Sequence, residues 1–196
     1  MLAAVPALLL ASCTATVRPP TSVDDPATVY LADYGYHATI LLPTPDEARL
    51  VEYAYGDWCW YALGHDALVG LPFTLVVPTR ATLGRGEHPR PATVDELGFR
   101  LACDRPVAIV VERARVDELR TALDAIHAAH RSREVRNEDF GLDFVRLRES
   151  YHLGNTCNHE MGRWLRQLGC GVRGVALWGD YRFITPEAGA AGDSGG

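Results

Sequence analysis

The 196-residue chain has no lysine, no internal repeat and no heptad pattern, so its positive charge rests on arginine. We attribute that bias to coding composition rather than to function. The formal charge is −6 and no basic stripe occurs along the chain, which argues against nucleic acid as a partner. Charged residues are neither sparse nor clustered, and the length suits one domain with a real hydrophobic core. A bilayer-spanning run is also missing. The N-terminal stretch "MLAAVPALLLASC" is apolar for about a dozen residues, too short to cross a membrane and of the length of a signal-peptide core.

That stretch ends in Leu10-Ala11-Ser12-Cys13, which resembles the bacterial lipobox. The resemblance implies cleavage before Cys13 and its lipidation, although no basic residue precedes the apolar run. The next segment, "TATVRPPTSVDDPAT", is polar and proline-bearing and is expected to be a tether. The expected organisation is a signal peptide over 1–13, a tether over 14–27, a folded domain over 28–184 and a small, polar, disordered tail over 185–196. The expected location is the cell envelope, anchored to a membrane through lipid and facing the periplasm or exterior.

Export leaves Cys59, Cys103, Cys157 and Cys170 in a compartment that permits disulfides. One pairing fails on geometry. A helix over 157–169 would hold Cys157 and Cys170 about 19 Å apart, whereas a disulfide needs Cα atoms within roughly 7 Å.

From residue 28 onward the pattern becomes regular. "TVYLADYG" and "YHATILLP" are expected strands joined by a turn at Gly35. "ARLVEYAYGDWCWYALG" is expected to be extended up to Gly56, and "PFTLVVPTRATL" to form another strand. "GRGEHPRP" is expected to be a loop and "RPVAIVVERA" a central strand. "RVDELRTALDAIHAAHRS" is the clearest helix, with Val116, Leu119, Leu123 and Ile126 as its apolar stripe and His127 and His130 facing solvent. "DFVRLRESYH" is expected to lead as a strand into a second helix, whose apolar face is Met161, Trp164, Leu165 and Leu168. Gly169 and Gly171 would stop that helix. The fold class is α+β, a mostly antiparallel sheet packed with helices.

The chemistry centres on "YHLGNTCNHEMG". With Asn155 or Thr156 as N-cap, Cys157 falls in the first helical turn. Unpaired backbone N–H groups and the helix dipole favour a thiolate there. Glu160 opposes that effect, and a protonated His159 would offset it. His37, at the head of an apolar strand, is the candidate base. Asp57 is the best third residue to fix its tautomer, with His65 and Glu52 as weaker choices. The Cys157 backbone N–H, with Asn158 or Asn155, is the candidate oxyanion site.

The order "GYH", then "YGDWCWY", then "YHLGNTCN" resembles an uncharacterised bacterial lipoprotein family often encoded near urease genes. That family is identified as a member of the permuted papain-like superfamily, alongside cell-wall amidopeptidases and lecithin-retinol-acyltransferase-like enzymes. The resemblance spans roughly residues 28–184. It implies Cys157 as nucleophile, His37 as general base and acid, and Asp57 as orienter, acting without cofactor on an amide or ester. A peptidoglycan peptide is favoured as substrate and an acyl lipid comes second. The chain departs after "NTCN", where a hydroxyl or Asn and then a Trp are expected and His159-Glu160 stand instead.

Two other readings compete. One is a non-catalytic envelope lipoprotein that binds a ligand or partner, with Cys157 buried or bridged to Cys59 or Cys103. The other is a metal site at His152, Cys157 and His159, whose spacing is no standard zinc signature.

Overall fold

The structure is a computed structural model that describes residues 14–35, 37–64, 77–176 and 179–184. Cys13, Tyr36, His65 and the 185–196 tail therefore lie outside the described residues. The fold is α+β. Seven strands form one sheet in the order β6-β2-β3-β4-β5-β8-β7. They are β2 (Pro26–Asp33), β3 (Ala38–Pro43), β4 (Arg49–Asp57), β5 (Thr79–Pro89), β6 (Arg105–Glu112), β7 (Val135–Asn137) and β8 (Leu142–Tyr151). Every neighbouring pair in it is antiparallel. A small second sheet joins β1 (Ala15–Arg18) to β9 (Gly171–Arg173) antiparallel and to β10 (Tyr181–Phe183) parallel. The described chain also holds three α-helices: α1 (Val94–Leu101), α2 (Arg113–Ala129) and α3 (Cys157–Gln167).

Side-chain alternation sorts the large sheet into two faces. Ala38, Ile40 and Leu42 of β3 join Val51, Tyr53 and Tyr55 of β4 in the main core, beneath Leu119 of α2 and Met161 and Leu165 of α3. On the other face Leu41 packs with Tyr30, Ala32 and Leu50 against Leu97 of α1. Beyond them Ala54, Leu142 and Phe144 pack with Trp58 and Tyr61. Cover on both faces buries β3 along its whole length, which is why "HATILLP" lacks a polar alternation.

Several expectations are corrected. The segment expected as a tether holds β1, whose Ala15 and Val17 are buried, and the start of β2. "GRGEHPRP" is not a loop down to Pro89 but the second half of β5. Its glycines mark close packing: a Cβ at Gly84 would stand 2.5 Å from the Phe144 ring, and one at Gly86 2.5 Å from Leu142 Cδ2. The apolar run "RPVAIVVE" forms β6, an edge strand rather than a central one. It pairs along the length of β2 and leaves Val110 exposed. The stripe of α2 is rotated as well. Its buried positions are Val116, Leu119, Arg120, Leu123 and His127, while Ile126 is exposed. His127 Nε2 lies 3.0 Å from the Asp143 carbonyl and an Arg120 N–H donates to the Pro43 carbonyl. These two polar groups take inward positions because strand ends offer them acceptors.

After Asp57 the chain turns into a single π-helical turn, Trp58–Ala62. The four described cysteines are all free thiols, so Cys157 is bridged to neither Cys59 nor Cys103.

Candidate functional site

The first turn of α3 is built as the sequence suggests. Thr156 is the N-cap, in extended conformation, and its hydroxyl oxygen accepts from the His159 N–H. His159 Nδ1 reaches back to the Thr156 N–H and hydroxyl, 2.9 Å from the latter. This is a capping box with imidazole in the place that Glu or Gln usually takes. Burial, then Arg163 and His152, push the His159 pKa down. It therefore stays neutral and brings no positive charge to Cys157.

The polar side chains around Cys157 serve one another. Arg163 ties Glu160 to Asn155 Oδ1, and the Asn155 side-chain NH2 donates to the Tyr55 hydroxyl and the Ser150 backbone carbonyl. Asn155 is thus a clamp on the loop before the helix. The Tyr181 hydroxyl donates to Asn158 Oδ1 at 3.0 Å, beneath the helix. His152 Nδ1 accepts from the Gly154 N–H, so the imidazoles at 152 and 159 both support turns. Cys157 itself is 5% exposed and accepts from the Tyr151 hydroxyl at 3.7 Å. Burial pushes its pKa up; the Tyr151 hydroxyl and the backbone N–H groups of Asn158 and Cys157 pull against that without winning. The helix end does act on the sulfur, but desolvation is the larger effect.

His37 lies elsewhere. The chain reverses between β2 and β3, the Tyr34 N–H donates to the His37 carbonyl, and His37 falls on the face of Thr39 rather than of Ala38. Its ring is 4.5 Å from that of Tyr61. With Thr39, Glu52 and Ala54 it lines a cavity of about 590 Å³ whose walls include Trp60, Phe140 and Phe144. The helix carrying Cys157 packs on the opposite face, against Ile40 and Leu42. No hydrogen bond joins Cys157 to His37; both ring nitrogens of His37 are buried without a partner. Burial alone pushes its pKa down to about 4.

Tyr61 borders both places. Its ring packs flat on Gly56, where a Cβ would stand 2.2 Å from it, and tilts against His37. Burial first, and then the charge of Cys157, hold its phenol well above the ordinary range.

Asp57 does not orient His37. It is fully buried, accepts the Trp60 N–H at 2.9 Å to cap the π-helical turn, and takes the Thr79 hydroxyl on its other oxygen. Glu52, the weaker candidate, does share the cavity with His37. Its Oε1 receives the Thr39 hydroxyl at 2.6 Å and the Tyr34 hydroxyl at 3.5 Å, and its Oε2 lies 2.7 Å from His88 Nε2. The Glu52–His88 pair escaped sequence reasoning because His88 stands in the segment expected as a loop. The usable signal was the acidic residue inside "RLVEYAYG", since a charge on an inward strand position must be paired.

No family model, curated protein or solved structure matches the chain.

Proposed function

We propose that the chain is a lipid-tethered envelope module that binds a small, mainly apolar molecule in the cavity beneath His37. One observation carries this reading: a fully buried imidazole, unpartnered at both nitrogens, lines an aromatic-walled space of about 590 Å³. Such a group left unsatisfied costs about 1–3 kcal/mol. The volume falls in the range of small-molecule sites, roughly 300–1,000 Å³. The tether rests on Cys13 and its lipobox. Among the described residues no helix is long and apolar enough to cross a membrane.

The test uses N-phenyl-1-naphthylamine, an uncharged fluorophore, with the full chain. Saturable one-to-one binding that is lost in Leu101→Trp, which fills the cavity from its wall, is expected. Non-saturable binding, or binding untouched by Leu101→Trp in a protein that still unfolds cooperatively, overturns the reading.

The second reading is the thiol hydrolase or acyltransferase with the finer, permuted papain-like arrangement, acting on a peptidoglycan peptide or an acyl lipid. The contact of the Cys157 and Asn158 N–H groups with the sulfur favours it. It requires a His37 ring nitrogen to meet the Cys157 sulfur, to which no hydrogen bond joins it here. Covalent capture of Cys157 by a substrate-like acyl electrophile, abolished by His37→Ala, would move the conclusion to this reading.

A further inference from the structure

We infer that the outward face of the small sheet docks onto the anionic phospholipid headgroups of the membrane that holds the anchor. The inference rests on the tether at Cys13, one part of the reading above, and adds the surface that meets the bilayer.

Strand parity builds the face. Ala15 and Val17 of β1 and Tyr181 of β10 are buried in the main core, with Val172 and Phe183 packed against it. The alternate positions then point outward. Thr16 is one of them, and the register sets Arg173 of β9 on one side of it and Arg182 of β10 on the other. Arg18, two residues further along β1, shares their face. All three arginines are exposed. Other arginines are held by carboxylates: Arg49 by Glu87, Arg85 by Asp124 and Arg113 by Asp25. Among the described residues, no side-chain hydrogen bond or ion pair engages Arg18, Arg173 or Arg182. Asp180, just before β10, brings a carboxylate to one end of the face, where it accepts from the Thr14 hydroxyl at 2.6 Å. The balance is positive. No basic stripe shows in the sequence because these arginines come from distant parts of the chain.

Chain length brings the face to the bilayer. Cys13 precedes Ala15 by two residues, which span at most about 7 Å when extended. That is about the depth of one headgroup layer, so a lipid on Cys13 leaves no spacer between bilayer and β1. Guanidinium groups pair with phosphate through two parallel N–H donors. The chain as a whole carries a charge of −6. Charges beyond about 10 Å are largely screened at about 0.1 M salt, so the local face decides.

The test is sedimentation of the full chain carrying Cys13→Ser with vesicles of phosphatidylcholine, alone or with about one third phosphatidylglycerol. The apolar N-terminal run enters both kinds of vesicle alike, so the ratio between them reads charge. A positive charge near an anionic surface gives about fivefold in affinity, so three arginines against one carboxylate should make the mixed vesicles bind about 25-fold tighter at about 0.05 M salt. The preference should fade by about 0.5 M salt. Arg182→Gln alone should cost about fivefold. Arg18→Gln, Arg173→Gln and Arg182→Gln together should remove the preference without changing thermal unfolding. Arg133→Gln, Arg146→Gln and Arg148→Gln together make the same change of net charge at a groove elsewhere on the surface, and should retain it. Equal binding of the unsubstituted face to both vesicles overturns the inference. So does a preference that survives the first triple substitution or is lost equally in the second. Lipidation is read separately, from the mass of the wild-type protein recovered from membranes. An unmodified Cys13 removes the tether, whereas a lipidated Cys13 without any vesicle preference removes this inference alone.

Discussion

The two faces of the large sheet handle their polar groups differently. On the Cys157 face, Thr156, His159, Asn155, Arg163 and Glu160 close a network around the helix start, and Tyr151 supplies a donor to the thiol. On the His37 face, Glu52 is saturated but the imidazole beside it has no partner at either nitrogen. The first arrangement stabilises a helix end. The second leaves hydrogen-bonding capacity unused at the wall of a cavity, and buried polar groups in folded proteins are rarely left so. The residue best placed by sequence for chemistry is therefore built into structure, while the one expected to assist it lines a cavity with both ring nitrogens buried and unpartnered. A nucleophile needs both an activated state and access, and Cys157 has neither in this conformation.

The largest expected effect tests whether His37 is buried and neutral. Its pKa is lowered from 6.5 to about 4 by burial. Below pH 6.5 the unfolded chain takes up a proton that the folded protein refuses until about pH 4. Stability should thus fall as pH drops through that window and level off below it, by about 3 kcal/mol in total. His37→Phe should lack this loss. Because Glu52 and His88 are present in both proteins, the difference between their urea-unfolding curves at pH 7 and pH 4.5 isolates His37. Parallel curves would mean that the ring is solvated, and the contrast between the faces would disappear.

Thiol reactivity comes next. Cys59 is exposed, whereas Cys103, Cys157 and Cys170 are buried, with Cys170 pushed up to about 11. In the reduced, folded protein at pH 7.5, Cys59 should react with iodoacetamide about a hundredfold faster than Cys157, because a buried thiol waits for local opening. Peptide mapping after timed quenching reads the rates. Were Cys157 the fastest thiol, its face would be the reactive one and the hydrolase reading would prevail.

The helix from Cys157, its cap and its apolar face of Met161, Trp164, Leu165 and Leu168 were legible in the sequence because capping and 3.6-residue periodicity are local. So were β2, β3 and the antiparallel α+β character. The central place given to β6 was wrong because apolarity reports burial and not strand order. The extension of β5 through Gly84 and Gly86 was hidden because glycine there answers to Phe144 and Leu142, about 60 positions downstream. The face of His37 depended on a single residue of register: with Thr39 it meets the cavity, with Ala38 it would have met the core under α3. No local pattern states that parity when the strand is buried on both sides.

The smallest effects come from deleting one hydroxyl on each face. Thr39 donates to the buried Glu52 carboxylate at 2.6 Å, and Tyr151 donates to the Cys157 thiol at 3.7 Å. A hydrogen bond to a charged acceptor contributes more than a neutral one, and a buried carboxylate that loses a donor keeps its desolvation cost. Thr39→Val should therefore destabilise the protein by about 2 kcal/mol, the isosteric side chain leaving packing unchanged. Sulfur is a weak acceptor, and Cys157 still has the backbone N–H groups of its own helix turn. Tyr151→Phe should cost only about 0.5 kcal/mol. Denaturation of both variants under one condition gives the ratio directly. A Tyr151→Phe loss equal to that of Thr39→Val would require a thiolate in place of a thiol at position 157, since only an ionised sulfur accepts that strongly. The burial that pushes the Cys157 pKa up argues against such a charge, so the two deletions should separate.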